Sequence, residues 1–297
     1  MPAPRLLLYG PAKIGKTVAA CAASHHGLMI AAAGALTPSQ THLGIPAEKL
    51  NIRQADTLSD VLKILSVESK RKWPVIYIDD LSLAIKRAQA GVKIDWRKFD
   101  GELNELGKYA TDSMSNGVPF IITAHEQPDR TSSGKYVRGG PQLPGQAPEG
   151  FSGSIDVVLR GVSDETMQPW PFVVWSRSRK NWVAGDRLAI FPDMGPLNVA
   201  QGLRCSGVSI PYPEGWMDKA VAQWSAAIKE AGVGQWQSVV RPAFIKLAGK
   251  YDARYLKWAA IDALHSVVFE QRKNDPMTWL DGIGAVEPGL SDVLVTE

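Results

Sequence analysis

The chain has 297 residues, 45% hydrophobic and 21% charged, and its 33 basic and 30 acidic side chains leave a net charge of +3. That composition excludes a disordered chain, and the length suits one large domain or a domain of about 200 residues with a smaller one behind it. No apolar run approaches the ~20 residues of a membrane helix, and the start MPAPRLLLYG lacks the layout of a signal peptide. With only Cys21 and Cys205, a disulfide framework and a Cys-rich zinc site are both excluded; a cytoplasmic protein with no membrane partner is expected.

Up to about residue 192, short apolar runs alternate with helical stretches. This pattern predicts an α/β domain with a mainly parallel sheet covered by helices. Arg5–Tyr9 reads as a buried strand, Lys16–Ser24 as an Ala-rich helix, and Leu28–Ala32 and Leu50–Gln54 as further strands. Thr57 followed by Asp60 marks the start of a helix over Leu58–Ser69. The strand Pro74–Asp79 leads into helices over Leu81–Ala90 and Trp96–Met114, with Asp95 as the cap of the second.

The strand Pro119–Ala124 precedes residues 126–153, where Pro128, Pro141, Pro144 and Pro148 mix with glycines and no apolar periodicity survives. A long functional loop without core positions is expected there. Ile155–Arg160, Phe172–Ser176 and Leu188–Phe191 complete the predicted strands. Pro211 to Gly215 marks a boundary between a domain over 1–210 and a C-terminal helical region over 211–297. Helices are predicted there at Trp216–Ala231, Val239–Ala248 and Asp252–Arg272. Trp216, Trp224, Trp236, Trp258 and Trp279 read as the core of that region rather than as a surface for stacking bases.

Three strand ends carry the chemistry. Gly10, Pro11, Ala12, Lys13, Ile14, Gly15, Lys16 and Thr17 spell G-x-x-x-x-G-K-[ST] between a predicted strand and a predicted helix, with Val18 directly after. Glycines let such a loop curl so that successive N–H groups face phosphate at a helix N-terminus. Lys16 is expected to reach the β- and γ-phosphates of ATP, and Thr17 to offer its hydroxyl to Mg²⁺. The strand Val75 to Ile78 ends in Asp79, the expected metal-side carboxylate, and Asp80, placed to orient attacking water. The strand Phe120 to Ala124 ends in His125, an expected sensor of the γ-phosphate beside the long loop.

In this order the motifs resemble the RecA-like recombinase ATPases, particularly the short phage members of the Sak type that assist single-strand annealing. The resemblance spans about residues 5–192. It rests on the Gly10–Thr17 cradle, on Met29 to Pro38 as the strand that ends in the family's catalytic acid, on the His125 strand with its loop, and on Ser178 to Gly185 as a basic hairpin. It implies a RecA-like P-loop ATPase fold, Mg²⁺-dependent ATP binding, and self-association as a filament or ring. Single-stranded DNA is the implied partner, with a single-strand binding protein as a further candidate, in host cytoplasm if phage-encoded. Within the hairpin, Lys180 and Arg179 stand where the family reaches into a neighbour's nucleotide.

Ala33 occupies the position of the family's acid, with Ala31 two positions earlier, so slow hydrolysis is expected, with Asp80 supplying the water-orienting carboxylate. Lys135, Tyr136 and Arg138 in the long loop combine basic and aromatic side chains suited to phosphates and bases. Lys93, Arg97 and Lys98 form a second basic cluster, near Lys86 and Arg87, where the family has its other DNA loop. The double acid Asp79-Asp80 also suits a terminase-type packaging motor, and Ala31 and Ala33 also suit a nucleotide-gated binding or assembly protein without useful hydrolysis.

Overall fold

Alternation along the strands sorts the core onto two faces of one sheet. The computed structural model describes residues 3–37, 45–89, 96–127, 130–132, 135–137, 140–143, 151, 154–164, 172–176, 185–186, 199–205 and 207–211. Strand β1 (Arg5–Gly10) is buried along its whole length. Leu6 and Leu8 join one core, and Leu7 and Tyr9 the other. The same period of two divides β2 (Leu28–Ala31), where Met29 and Ala31 face one side and Leu28 and Ile30 the other. Strands apolar on both faces must be covered on both, which is why helices flank the sheet on either side.

The sheet runs β10–β9–β1–β5–β4–β2–β3, with β3 (Asn51–Gln54), β4 (Ile76–Asp79), β5 (Phe120–Gln127), β9 (Val157–Asp164) and β10 (Phe172–Ser176). Every pairing from β9 to β3 is parallel, while β10 and the short β11 (Gly185–Asp186) pair antiparallel with β9. The result is an α/β fold with a mainly parallel sheet, as the alternating pattern predicts. Strand β5 lies between β1 and β4, an order that the linear sequence does not state.

One face is covered by α1 (Lys16–Ser24) and α5 (Val199–Cys205). The run Ala19, Ala20, Cys21, Ala22 and Ala23 is buried, so small side chains let α1 lie close against the strands. The other face carries α2 (Leu58–Glu68), α3 (Leu81–Gln89) and α4 (Trp96–Ser115). On α4 the buried Phe99, Leu103, Leu106 and Ala110 follow steps of three and four, one stripe of a 3.6-residue helix. The predicted start of α2 is a capping box: Thr57 Oγ1 accepts from the Asp60 amide at 3.2 Å, and Asp60 Oδ2 accepts from the Thr57 amide at 3.2 Å. The Thr57 hydroxyl beside Asp60 holds its carboxyl below the usual carboxylate range.

Residues 126–153 depart from the expectation of a loop without core positions. Strand β5 continues through Gln127, a hairpin of β6 (Arg130–Ser132) and β7 (Lys135–Val137) follows, and β8 (Gly140–Pro141) returns to pair with Glu126 and Gln127. Leu143 is 3% exposed and Phe151 is 6% exposed, and both pack in the core beneath α4. Two isolated apolar anchors leave no periodic signal, which is why the sequence pattern misses them. Helix α5 was likewise not predicted, being too short to display a stripe. The predicted strand at 188–191, the cap at residue 95 and the helices beyond residue 211, with their tryptophans, lie outside the described residues. Among the described residues no helix is long and apolar enough to cross a membrane.

Candidate nucleotide site

The C-terminal ends of β1, β4 and β5 bring the three predicted motifs together. In register, Gly10 of β1 stands level with His125 of β5, and Ile78 of β4 level with Ile122. Asp79 and Asp80 therefore leave the sheet edge beside Thr123 and His125, across from the loop that follows Gly10. The helix after β1 covers one face and the helix after β4 the other, so the connections on either side of β5 diverge at this edge, the usual place of a ligand crevice in an open parallel sheet.

The loop has a conformation that its residues explain. Gly15, the N-cap of α1, has φ 92°, and Lys13 has φ 66°. The first is natural for glycine; the second is a position where an L-residue is strained, a feature that clusters at ligand loops. A Cβ at Gly10 would lie 3.0 Å from the Gly161 carbonyl oxygen of β9, so this turn tolerates little else. No side chain caps α1 and no acid occupies its first turn, which leaves its amide groups to meet an anion.

Lys16 is 6% exposed, and its Nζ donates to the Gly10 carbonyl at 3.1 Å and to the Pro11 carbonyl at 2.9 Å. Burial lowers the pKa of its ammonium, while the carboxylates of Asp80, Asp79 and Glu126 pull the other way. Lys16 is thus a buried cation held by two backbone carbonyls with three carboxylates close enough to act on it.

Asp79 is the junction of the site. Its Oδ1 accepts from Thr17 Oγ1 at 3.0 Å, from the Tyr77 hydroxyl at 2.6 Å and from Thr123 Oγ1 at 2.7 Å. Burial and the charge of Asp79 raise the Tyr77 phenol well above its usual value, so it stays a donor. A Thr17 hydroxyl beside the Asp79 carboxylate is a pair of hard oxygen donors of the kind that could hold Mg²⁺. Among the described residues, no group of three or more His, Cys, Asp or Glu forms a metal site by protein side chains alone.

Asp80 follows through a cis peptide bond and is 9% exposed. Its Oδ1 accepts from the Ser82 amide at 2.8 Å and caps α3, while its Oδ2 lies 3.2 Å from His125 Nε2. Burial raises the pKa of this carboxyl, against the opposing influence of His125. The His125 amide in turn donates to Ser82 Oγ at 2.9 Å.

Next along β5, Glu126 Oε1 accepts from Arg160 Nε at 3.0 Å and Nη2 at 2.8 Å. Its Oε2 is buried with no hydrogen-bond partner among the described residues. Tyr77, Ser82, Thr123, Glu126 and Arg160 were not singled out from sequence. Tyr77 and Thr123 carried a readable signal, since residues two apart on a strand share a face and they precede Asp79 and His125 by two.

The other expected residues are placed less closely or not at all. Ala33 lies exposed just past β2, so no acid stands at that strand end. Lys135 and Tyr136 are on β7, in the hairpin that β5 feeds. Arg97 and Lys98 are exposed in the first turn of α4, and Arg87 of the neighbouring basic group pairs with Asp56. Lys93, Arg138, Arg179 and Lys180 lie outside the described residues. No family model matches the chain, and no curated protein matches it.

Proposed function

We propose that this chain is a RecA-like P-loop ATPase that binds Mg²⁺ and ATP and acts on single-stranded DNA in recombination or annealing, in the manner of the phage Sak-type proteins it resembles. The observation that carries the reading is the hydrogen bond from Thr17 to Asp79 across β5. It joins the first turn after the glycine cradle to the carboxylate two strands away. The sheet order supports it, since the cradle strand and the acid strand flank a third strand with a polar end. When bound, the metal would neutralise charge on the β- and γ-phosphates. Lys16 would leave the Gly10 and Pro11 carbonyls for the phosphates, and the α1 amides would hold the same oxygens.

In hydrolysis the water oxygen bonds to the γ-phosphorus, the bond to the bridging oxygen breaks, and ADP leaves. Lys180 and Arg179 from a neighbouring subunit are the proposed trans cations, and Lys135, Tyr136, Arg138, Lys93, Arg97 and Lys98 the proposed DNA contacts. The experiment is binding of a labelled ATP analogue and phosphate release, with and without single-stranded DNA, for wild type and Lys16→Ala. Loss of ATP binding in a folded Lys16→Ala protein supports the reading; unchanged affinity removes the cradle as the site.

A second reading, a nucleotide-gated binding protein without useful turnover, is favoured by the bare end of β2 at Ala33. It predicts tight ATP binding with no phosphate release under any DNA condition. The terminase-type motor rests only on the paired acids, and dependence on a portal or capsid would mark it.

A further inference from the structure

Asp80 follows the metal-side acid directly, so the simplest assignment has its carboxylate facing the attacking water. The geometry argues otherwise. Oδ1 is engaged by the N-terminus of α3, at 2.8 Å from the Ser82 amide and 3.4 Å from the Leu83 amide. Oδ2 is engaged by His125 Nε2 at 3.2 Å, and the side chain is 8% exposed. With one oxygen on the helix cap, the other beside the imidazole and the side chain buried, Asp80 offers a water far less open surface than the imidazole does.

His125 has the opposite character. Its side chain is 27% exposed at the open edge of the sheet, level with Gly10, the first residue of the cradle. Its position is set twice, by Asp80 at the ring and by Ser82 at the backbone amide. With Nε2 turned to the carboxylate, the tautomer that carries its proton on Nε2 is favoured, and Nδ1 is the nitrogen left to meet a ligand.

We infer that Asp80 and His125 act as one unit at the γ-phosphate: His125 Nδ1 contacts the γ-phosphate, and Asp80 is a positioning residue that holds the ring. The assignment rests on the ATP-site reading above. It replaces a direct role for the Asp80 carboxylate on water, and it explains why an acid at this strand end is spent on a helix cap. The pair also ties α3 to β5, so the ring is held by two elements that already pack together.

The test uses the full chain with Mg²⁺, ATP and single-stranded DNA, in wild type, Asp80→Asn, His125→Gln and the double variant. Asp80→Asn keeps an acceptor for the α3 cap while removing the oxygen that faces the ring, so the fold is retained. His125→Gln keeps a polar side chain at a partly exposed position, so it is structurally mild. Each single variant should lower kcat by about 100-fold with ADP affinity within about threefold, and the double variant should be no worse than either.

A binding readout runs in parallel. The ratio of affinities for a non-hydrolysable ATP analogue and for ADP should fall to the same value in all three variants. Ring ¹⁵N spectra should show the Nε2–H tautomer of His125 in wild type and a redistributed tautomer in Asp80→Asn.

Losses that multiply in the double variant would overturn the unit, as would an unchanged affinity ratio or full turnover in His125→Gln beside a dead Asp80→Asn. If wild type turns over no ATP, the affinity ratio and the spectra decide alone. Failure of wild type to bind either nucleotide overturns the ATP-site reading and this assignment with it, whereas retained binding with independent losses overturns this assignment only.

Discussion

Tyr77 and Thr123, on neighbouring strands, donate their hydroxyls to the same oxygen, Asp79 Oδ1, at 2.6 and 2.7 Å. Their convergence fixes the carboxylate's rotation before any ligand arrives, and leaves Oδ2 as the oxygen that these two donors and Thr17 do not use. Side chains that orient a metal-side acid contribute to affinity without touching the ion.

Tyr77→Phe tests that orientation. The ring volume is kept and no cavity opens, so the lost hydrogen bond should cost about 1 kcal/mol of stability. The Mg²⁺ concentration needed for ATP binding should rise by about 10-fold or more. A Mg²⁺ titration of analogue binding reads it, and an unchanged midpoint would count against Asp79 as the metal-side carboxylate.

Lys16→Met should separate stability from function. Burial holds the folded-state pKa of Lys16 below its ordinary value of 10.5. Stability therefore rises with pH between those two values, and at neutral pH the buried charge costs stability. The neutral isostere should melt no lower than wild type without nucleotide, and should lose the rise in Tm that ATP confers on wild type. A lower Tm for the nucleotide-free variant would show that the ammonium stabilises the empty cradle.

The hairpin is separable from the core. Replacing residues 130–138 with a Gly/Ser linker keeps β8, Leu143 and the pairing of Glu126 with Pro141. Single-strand affinity should fall about 10-fold or more, with a shallower dependence on salt, while nucleotide affinity is retained. Wild-type single-strand binding across a salt series would remove this segment from the DNA surface.

His26 supplies a pH signature of the fold. Burial, followed by the nearby His25, lowers its pKa from 6.5 to about 4, with Arg204 acting in the same direction. Between those values the unfolded chain binds a proton that the folded one refuses, so stability falls as pH falls through that window. Allowing for screening at a half-buried site, the loss should be on the order of 1–2 kcal/mol. Urea unfolding at neutral pH and near pH 5 measures it, and His26→Gln should flatten the difference.

Much of the architecture was legible because both periodicities are strong. Lys16–Ser24 and Phe172–Ser176 match the predicted spans residue for residue. The cradle, Asp79 and His125 were each legible as polar groups at the ends of apolar runs. Their convergence was not, since it depends on β5 entering between β1 and β4, a long-range pairing that no local pattern encodes. The buried pair of Arg5 with Asp156, at 2.9 Å and shared with Thr111, was hidden for the same reason: its partners are far apart in the chain. Leu143 and Phe151 were missed because single anchors in a Pro/Gly-rich stretch have no period to detect.

The level placement of Gly10 and His125 has a mechanical consequence. Two residues beyond His125, Gln127 is laced to Gly140 at the foot of the hairpin. A pull on the hairpin is thus borne by β5 two residues from the partner of Gly10. Tension on the hairpin need not travel through the body of the protein to be felt at Gly10; the two hang from the same strand, two residues apart.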